Sequence, residues 1–181
     1  GDGTFAFAST VMASTGILGE GADAKIADLN GDGIADLFLQ TAGAGADRNK
    51  PLIAIGNGDG TFLSPVSFVR RFGISVSRTF GDVDGDGDLD IVTGLSSTAG
   101  AGTGVYLNNG DGTYLAPTFY LDPDATGGAT EGVQLFDLTG DGILDVVALG
   151  SNTENVFVRA GNGDGSFAAA VSFGTLTNIY S

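Results

Sequence analysis

The chain has 181 residues, the length of about one domain, and its lack of Cys and His excludes disulfides, zinc–thiolate sites and imidazole-dependent catalysis. Its 22 acidic and 7 basic residues give a net charge of −15, which argues against nucleic acid or an anionic membrane as the main partner. A hydrophobic content of 42% excludes an acidic disordered tail, no apolar stretch is long enough for membrane insertion, and 32 glycines indicate a turn-rich β protein.

Two short motifs recur along the chain at a period near 54 residues. An acidic nine-residue string occupies residues 28–36, 82–90 and 137–145. A second string, Gly-Asp-Gly-[Thr/Ser]-[Phe/Tyr], occupies residues 1–5, 58–62, 110–114 and 163–167. A fixed period of this length indicates a repeat architecture, and one unit is long enough for a four-stranded propeller blade.

Each repeat predicts the same order of elements: an inner strand, the acidic loop, two further strands, a hairpin and an outer strand. Short apolar runs follow each acidic loop at residues 36–40, 90–93 and 145–149, and these predict buried inner strands. In the next run of each repeat, side chains of different character alternate along the chain. This pattern predicts one half-buried face and places Ala54, Tyr106 and Arg159 on the opposite face.

An Asn-Gly-Asp-Gly string then predicts a tight hairpin at residues 57–60, 109–112 and 162–165. The strand that follows each hairpin carries Pro65 or Pro117 in two repeats. Because proline cannot donate to a sheet ladder, we expect this strand at the outer edge of its sheet. The segments that join the repeats, 69–79 and 121–132, read as irregular connections.

The predicted fold is therefore all-β, with three four-stranded β-propeller-type blades and one extra N-terminal strand. Residues 1–12 form the outer strand of a preceding blade, 13–68, 69–120 and 121–174 are the three repeats, and 175–181 begin a following segment. Because three blades are too few for a closed propeller, the array is either open or completed by other chain segments or subunits.

The acidic loops follow the spacing D-x-[D/N/T]-x-D-G-x-x-D. Oxygens at positions 1, 3 and 5 can point at one centre, Gly at position 6 permits the sharp turn, and a carbonyl at 7 and a carboxylate at 9 complete a cage. An oxygen-only ligand set suits Ca²⁺. An EF-hand is excluded, because position 12 is Leu39, Thr93 or Ala148 where that motif requires Glu.

The loops and hairpins together resemble FG-GAP/VCBS repeats, the blade units of integrin-α-like β-propellers. The resemblance implies one Ca²⁺ in each loop, about three in all. It assigns Asp28, Asn30, Asp32, the Ile34 carbonyl and Asp36 to the first site; Asp82, Asp84, Asp86, the Asp88 carbonyl and Asp90 to the second; and Asp137, Thr139, Asp141, the Ile143 carbonyl and Asp145 to the third. The second site is expected to bind most tightly, Thr139 weakens the third, and the Asp88 side chain points to solvent.

Other conspicuous residues receive structural interpretations. Asp2, Asp59, Asp111 and Asp164 are turn formers, and Phe5, Phe62, Tyr114 and Phe167 pack between blades rather than stack on a sugar. A small basic cluster, Arg70, Arg71 and Arg78, reads as a solvated face or a set of ion pairs rather than as a reader of an acidic ligand.

Three functions remain open at the level of sequence. The first is a calcium-stabilised extracellular module for adhesion, with a protein or glycan ligand. The second is a structural subunit that assembles with copies of itself into a ring or filament, because the Thr4–Val11 strand and the Thr175–Tyr180 segment could complete a neighbour's blade. The third is an accessory domain of a polysaccharide-active enzyme. Catalysis within these residues is not expected, because every close pair of carboxylates belongs to a repeated loop.

Overall fold

The computed structural model of the protein describes residues 23–42, 48–67, 73–97, 101–123, 128–150 and 155–175. These residues form twelve β-strands and no helix, so none of them provides a helix that could cross a membrane. The predicted N-terminal strand, the segment after Thr175, and Asp2, Phe5, Arg70 and Arg71 lie outside the described residues.

The strands form three four-stranded antiparallel meanders. The first meander contains β1 (Asp23–Ala27), β2 (Asp36–Ala42), β3 (Arg48–Ala54) and β4 (Val66–Ser67); the second contains β5 (Gly73–Gly81), β6 (Asp90–Ser97), β7 (Gly102–Tyr106) and β8 (Thr118–Leu121); the third contains β9 (Gly128–Phe136), β10 (Asp145–Gly150), β11 (Asn155–Arg159) and β12 (Val171–Thr175). The all-β prediction with four strands per repeat is confirmed, and the described sheets do not close on themselves.

Each acidic loop joins the first and second strands of its meander. The last ladder pairs before the loops are Ala27 with Asp36 and Gly81 with Asp90, and the third meander repeats this arrangement. The loop is therefore an eight-residue excursion at one end of a strand pair whose register is fixed by apolar side chains. All three loops occupy the same place in their meanders.

The hydrophobic core lies between meanders rather than inside any one of them. One cluster joins Leu29, Phe38 and Ile53 of the first meander to Ile91 and Tyr106 of the second. A larger cluster joins Val83, Val92 and Val105 of the second meander to the third. Because each sheet is only one strand layer thick, it can bury apolar side chains only against the next sheet.

A short ladder also connects two of the meanders. Ser96 and Ser97 at the end of β6 pair with Ala129 and Gly128 of β9. Nothing in the sequence pattern indicated this pairing. The two strand ends that pair consist of small and polar residues, and such residues do not specify the register of a strand pair.

Three sequence expectations about the strands require correction. Pro65 and Pro117 directly precede β4 and β8 instead of lying inside them, although both strands do lie at sheet edges. The supposed connections 69–79 and 121–132 contain much of β5 and part of β9. The alternation in the third strands does not leave one face open: Ala54, Tyr106 and Arg159 are all buried, because these central strands are covered on both sides.

Candidate metal sites

The three acidic loops share one backbone conformation. Glycine at position 6 has a positive φ in each loop, 81° at Gly33, 96° at Gly87 and 85° at Gly142. Residues with a Cβ rarely adopt this conformation, so the sharp turn expected at position 6 is present and requires glycine. The turn folds the acidic side chains of positions 1, 3 and 5 toward the same end of the strand pair.

The second loop brings three carboxylates together. Oxygens of Asp82, Asp84 and Asp86 lie within 4.8 Å of one another. Burial raises the pKa of the Asp84 carboxyl, and the neighbouring Asp86 and Asp82 charges add to that effect. Three converging acidic oxygens with this unfavourable electrostatics match the donor set of a hard divalent cation, so the residues fit Ca²⁺.

The first loop replaces one carboxylate with an amide. Asn30 donates from Nδ2 to Asp32 (3.0 Å) and accepts the Asp32 backbone N–H at Oδ1 (3.2 Å). Asp28 accepts the Gly33 N–H at 2.8 Å, which anchors position 1 beneath the turn. The oxygens of positions 1, 3 and 5 are thus tied into one hydrogen-bonded loop, with less negative charge than in the second loop.

The third loop, like the first, has no carboxylate at position 3, where Thr139 is exposed. Asp137 accepts the N–H groups of Gly140 (2.7 Å) and Gly142 (2.9 Å). Backbone donation, with that from Gly142 largest, lowers the pKa of the Asp137 carboxyl. The loop therefore holds its position-1 carboxylate ionised even though it offers only two acidic side chains at positions 1, 3 and 5.

Position 9 has a role that the spacing did not reveal. Asp36, Asp90 and Asp145 are fully or almost fully buried, and both oxygens of each carboxylate accept a backbone N–H. For Asp90 the donors are Val83 and Asn108, each at 2.8 Å. Matching bonds of 2.8–2.9 Å join Asp36 to Leu29 and Gly56, and Asp145 to Leu138 and Gly161. Each position-9 carboxylate therefore fastens its loop to the start of the following hairpin.

The position-7 side chains pack on the hairpins instead of pointing away. A Cβ added at Gly58 would lie 3.2 Å from Ile34, and one added at Gly163 would lie 3.2 Å from Ile143. The Asp88 side chain was expected in solvent, but it is half-buried against Gly110, where an added Cβ would lie 2.6 Å from Oδ2. Gly110 also has a positive φ of 81°, a conformation that residues with a Cβ rarely adopt.

The hairpin aspartates form a second, separate pattern. Asp59 accepts the backbone N–H and the hydroxyl of Thr61, and Asn57 donates to that hydroxyl at 2.9 Å. The Thr61 contacts lower the pKa of the Asp59 carboxyl. The same bonds recur around Asp111 and Asp164. These carboxylates are occupied within their own turns, in agreement with their interpretation as turn formers.

The hairpin of one meander touches the acidic loop of the meander before it. Asn108 donates from Nδ2 to the Leu29 carbonyl of the first loop at 2.8 Å. Gly165 donates its N–H to the Val83 carbonyl of the second loop at 3.0 Å. Both acceptors belong to position 2 of a loop, so ordering a loop also orders its contact with the next meander.

Several residues that join neighbouring meanders could not be recognised from the sequence. Asn108 is buried at a position where the other repeats have Gly56 and Gly161. Arg159 is buried and forms an ion pair with Asp122 at 3.0 Å, and its guanidinium lies 5.4 Å from the centre of the Tyr120 ring. Differences from the repeat consensus at such positions are the only sequence features that could have indicated them.

The aromatic and basic residues of the hairpins and connections lie between meanders. Tyr114 packs on the first cluster, and Phe167 is buried in the second, with its ring 5.9 Å from that of Tyr120. The expectation that the hairpin aromatics pack between repeats is confirmed for Tyr114 and Phe167. Arg78, expected on a solvated face or in ion pairs, is buried with its guanidinium 5.0 Å from the centre of the Phe38 ring.

A cleft of about 540 Å³ opens between the first and second meanders. Its lining is mainly apolar and includes the exposed side chains of Leu63, Val66 and Leu115. The half-buried Tyr114 lines the cleft above the buried Tyr106, and hydroxyl and carboxylate groups from the nearby hairpin lie at its edge. This size and mixture of groups are those of a site for a small ligand.

Comparison with known proteins identifies a family and similar solved structures. The sequence matches the FG-GAP-like repeat over residues 42–93 and 137–181, more than half of the chain. A solved structure of an Agrocybe aegerita lectin, titled for its specific recognition of non-reducing terminal N-acetylglucosamine, is 29% identical with a TM-score of 0.58. The match covers 83% of this chain and 37% of the lectin chain, so this chain spans little more than a third of the lectin. No curated protein matches the sequence.

Proposed function

The chain belongs to the FG-GAP-like repeat family, and on this basis we propose that it is a calcium-stabilised extracellular binding module with a glycan or protein ligand. The observation that carries the calcium part is the convergence of the Asp82, Asp84 and Asp86 oxygens within 4.8 Å. The resemblance of the fold to a lectin supports the glycan part. The meanders, which bury their cores face to face, are proposed to be propeller-type blades.

In this proposal each acidic loop holds one Ca²⁺. Positions 1, 3 and 5 supply side-chain oxygens, position 7 supplies its carbonyl, and position 9 both orders the loop and adds a carboxylate oxygen. Bound calcium neutralises acidic oxygens that otherwise repel one another. Of the 22 acidic residues, 11 lie in the loops. Because each Ca²⁺ carries two positive charges, three bound ions change the formal charge from −15 to −9. We therefore place the protein outside the cell, secreted or on a surface, where calcium is concentrated enough to fill sites with the affinity of extracellular modules.

The metal-free protein should become less stable as the pH rises from about 4 to 7. Burial raises the pKa of the Asp90 carboxyl to about 6 in the folded protein, above about 3.9 for an exposed Asp. Folded Asp90 therefore keeps a proton that the unfolded chain has released. That stabilisation is complete at low pH and is lost as the pH rises through 6. Thermal melts in EDTA should show the melting temperature falling by roughly 5 °C.

The Asp90→Asn variant is the control for that measurement. Its amide does not titrate, so its melting temperature in EDTA should depend less on pH over the same interval. A wild-type melting temperature that rises between pH 4 and 7 in EDTA would contradict the raised pKa assigned to Asp90 in the folded protein.

For the ligand, the cleft between the first and second meanders is the proposed site. Its volume is appropriate for one or two sugar rings, and its exposed apolar side chains lie next to polar groups of the hairpin. We expect calorimetry or a glycan array to detect binding of glycans that end in N-acetylglucosamine. Leu115→Arg, which fills the cleft from an exposed position, should weaken binding at least tenfold.

Leu121→Arg provides the matched control, since Leu121 is as exposed as Leu115 but does not line the cleft. It should leave glycan binding unchanged. Absence of binding to any glycan on the array would favour a protein ligand, and equal losses in both variants would place the site elsewhere. Catalysis is not part of the proposal, and an accessory role beside a polysaccharide-active domain would depend on the same glycan site.

A further inference from the structure

Asn108 occupies a position at which the other two repeats carry glycine. Gly56 and Gly161 lie at the matching places, each bridged to the aromatic residue of its hairpin. A Cβ at these glycines would collide with the carbonyl oxygen of loop position 8, that of Ala35 or Leu144. The backbone N–H donates to a position-9 carboxylate in all three repeats. The backbone therefore has one role throughout, and the Asn108 side chain is an addition specific to the second repeat.

The Asn108 amide joins two acidic loops to one hairpin. Its Nδ2 donates to the Leu29 carbonyl of the first loop at 2.8 Å and to the Leu89 carbonyl of the second loop at 3.0 Å. Its Oδ1 accepts the Gly110 N–H of the hairpin at 3.1 Å. Because Asn108 is only 4% exposed, water competes little for these bonds, and the amide fixes the hairpin relative to both loops.

The first loop also packs directly against this hairpin. A Cβ added at Gly112 would lie 3.6 Å from the Asn30 Cβ, a van der Waals contact. The Asp88 side chain lies between the two segments: its Oδ1 is 3.7 Å from an added Cβ at Gly31 of the first loop, and its Oδ2 is 2.6 Å from one at Gly110 of the hairpin. The first loop therefore contacts the second hairpin at positions 2, 3 and 4.

This hairpin and the residues after it also form one wall of the cleft. Residues 111–117 all line the cleft, together with residues of the first meander. Gly112 belongs to the lining and also contacts Asn30 of the first loop. The order of the first loop therefore determines how firmly the wall of the cleft is held.

We propose that Asn108 makes ligand binding in the cleft depend on calcium in the first acidic loop. With calcium bound, the ordered loop presents the Leu29 carbonyl to Asn108, and the hairpin holds the cleft wall in its binding position. Such coupling is reciprocal, so the ligand also tightens calcium binding. Asn108 acts as a positioning residue, since it lies outside the cleft lining and outside the acidic loops. The inference rests on the calcium loops and the cleft site proposed above.

Hydrogen exchange tests the coupling without any ligand. The reporters are the amides of Asn109 and Leu115, whose N–H groups donate to main-chain carbonyls of the same hairpin at 2.9 and 2.8 Å. Calcium should slow their exchange about tenfold in the wild type and less than about threefold in Asn108→Gly, since coupling between sites is typically 5- to 150-fold. Asn108→Gly installs the residue of the other repeats and keeps the backbone N–H that donates to Asp90.

The third hairpin provides the internal control for Asn108→Gly. Its reporters are the amides of Asn162 and Ala168, which donate to carbonyls of their own hairpin at 3.0 and 2.8 Å. They should respond to calcium equally in the wild type and in Asn108→Gly. If Asn108→Gly speeds exchange of the second hairpin by the same factor with and without calcium, Asn108 has a structural role only and the proposal is overturned.

Two matched loop variants test whether the first loop is the source of the effect. Asp32 and Asp141 both lie at position 5, both are exposed, and each accepts one position-7 N–H, that of Ile34 or Ile143, which an amide oxygen can keep. Asp32→Asn should reduce the calcium protection of residues 109–115 more than Asp141→Asn does. Equal reductions would mean that calcium acts through overall stability and would overturn the proposal. This comparison also decides the question if Asn108→Gly does not fold.

Calorimetry with a glycan that ends in N-acetylglucosamine tests the ligand side. EDTA should weaken binding about tenfold in the wild type and less in Asn108→Gly. Calcium that raises the melting temperature without protecting residues 109–115 would overturn the coupling and leave the proposed function intact. Protection of the hairpin without glycan binding would contradict the glycan ligand and would still support Asn108 as the link between calcium and the cleft wall.

Discussion

Removing calcium with EDTA is expected to lower the melting temperature by about 10–20 °C. At millimolar calcium, a site with the affinity of an extracellular module stabilises the folded state by about 1–2 kcal/mol. Three such sites contribute about 3–6 kcal/mol, and a chain of this length shifts by about 2–4 °C per kcal/mol. The contacts from Asn108 to the Leu29 carbonyl and from Gly165 to the Val83 carbonyl extend the effect from the loops to the packing between meanders.

The measurement is a thermal melt followed by circular dichroism, in calcium and in EDTA at equal ionic strength. Returning calcium in excess over EDTA should restore the higher melting temperature, and magnesium at the same concentration should restore little of it, since Mg²⁺ gives up its water reluctantly. Identical melting temperatures in calcium and EDTA would rule out calcium sites in these loops.

Substitution of a position-9 aspartate is expected to destabilise the protein with and without calcium. In the wild type, the backbone N–H groups of Val83 and Asn108 each donate to one oxygen of the Asp90 carboxylate. Asp90→Asn replaces one of these oxygens with an NH₂ group, so one N–H loses its acceptor. Leaving a buried donor without an acceptor costs about 2 kcal/mol. The melting temperature in EDTA should therefore fall by about 4–8 °C, and the response to calcium should also shrink.

Asp86→Asn is the matched control with the same chemical change. Asp86 is exposed, and its Oδ1 accepts only the Asp88 N–H at 2.9 Å, a bond that an amide oxygen can keep. We expect its melting temperature in EDTA to be no lower than that of the wild type, because the substitution removes one of the charges that repel Asp84 and Asp90, whereas the calcium response should decrease. If Asp90→Asn matches the wild type in EDTA, position 9 does not anchor the loop to the hairpin.

The two repeated motifs carried enough information to predict the four-stranded repeat, the place of each loop and the hairpin turns. Both motifs are local: glycine with positive φ and carboxylates two residues apart determine a turn wherever the chain is placed. The same locality explains why position 6 could be assigned correctly from sequence at Gly33, Gly87 and Gly142.

Features that depend on contacts between distant repeats could not be predicted. Arg159 looked like a solvent-facing residue in an alternating strand, but Asp122 and Tyr120 of another meander make its burial possible. Position 7 is expected to supply its backbone carbonyl, which predicts a solvent-facing Asp88 side chain, yet this side chain lies beside Gly110 of the following hairpin. The exposure of Leu138 was likewise not predictable, because Leu29 and Val83 occupy the same loop position and are buried by a neighbouring meander.

The joints between neighbouring repeats have an evolutionary consequence. At each joint the acceptor is a main-chain carbonyl, that of Leu29 or Val83, and the donor is a side-chain amide in one case and a main-chain N–H in the other. The acceptor side of each joint is therefore insensitive to the side chain of the residue that carries the carbonyl. The second joint, made by two main-chain groups, can survive divergence of the surrounding side chains, whereas the first also requires the Asn108 amide.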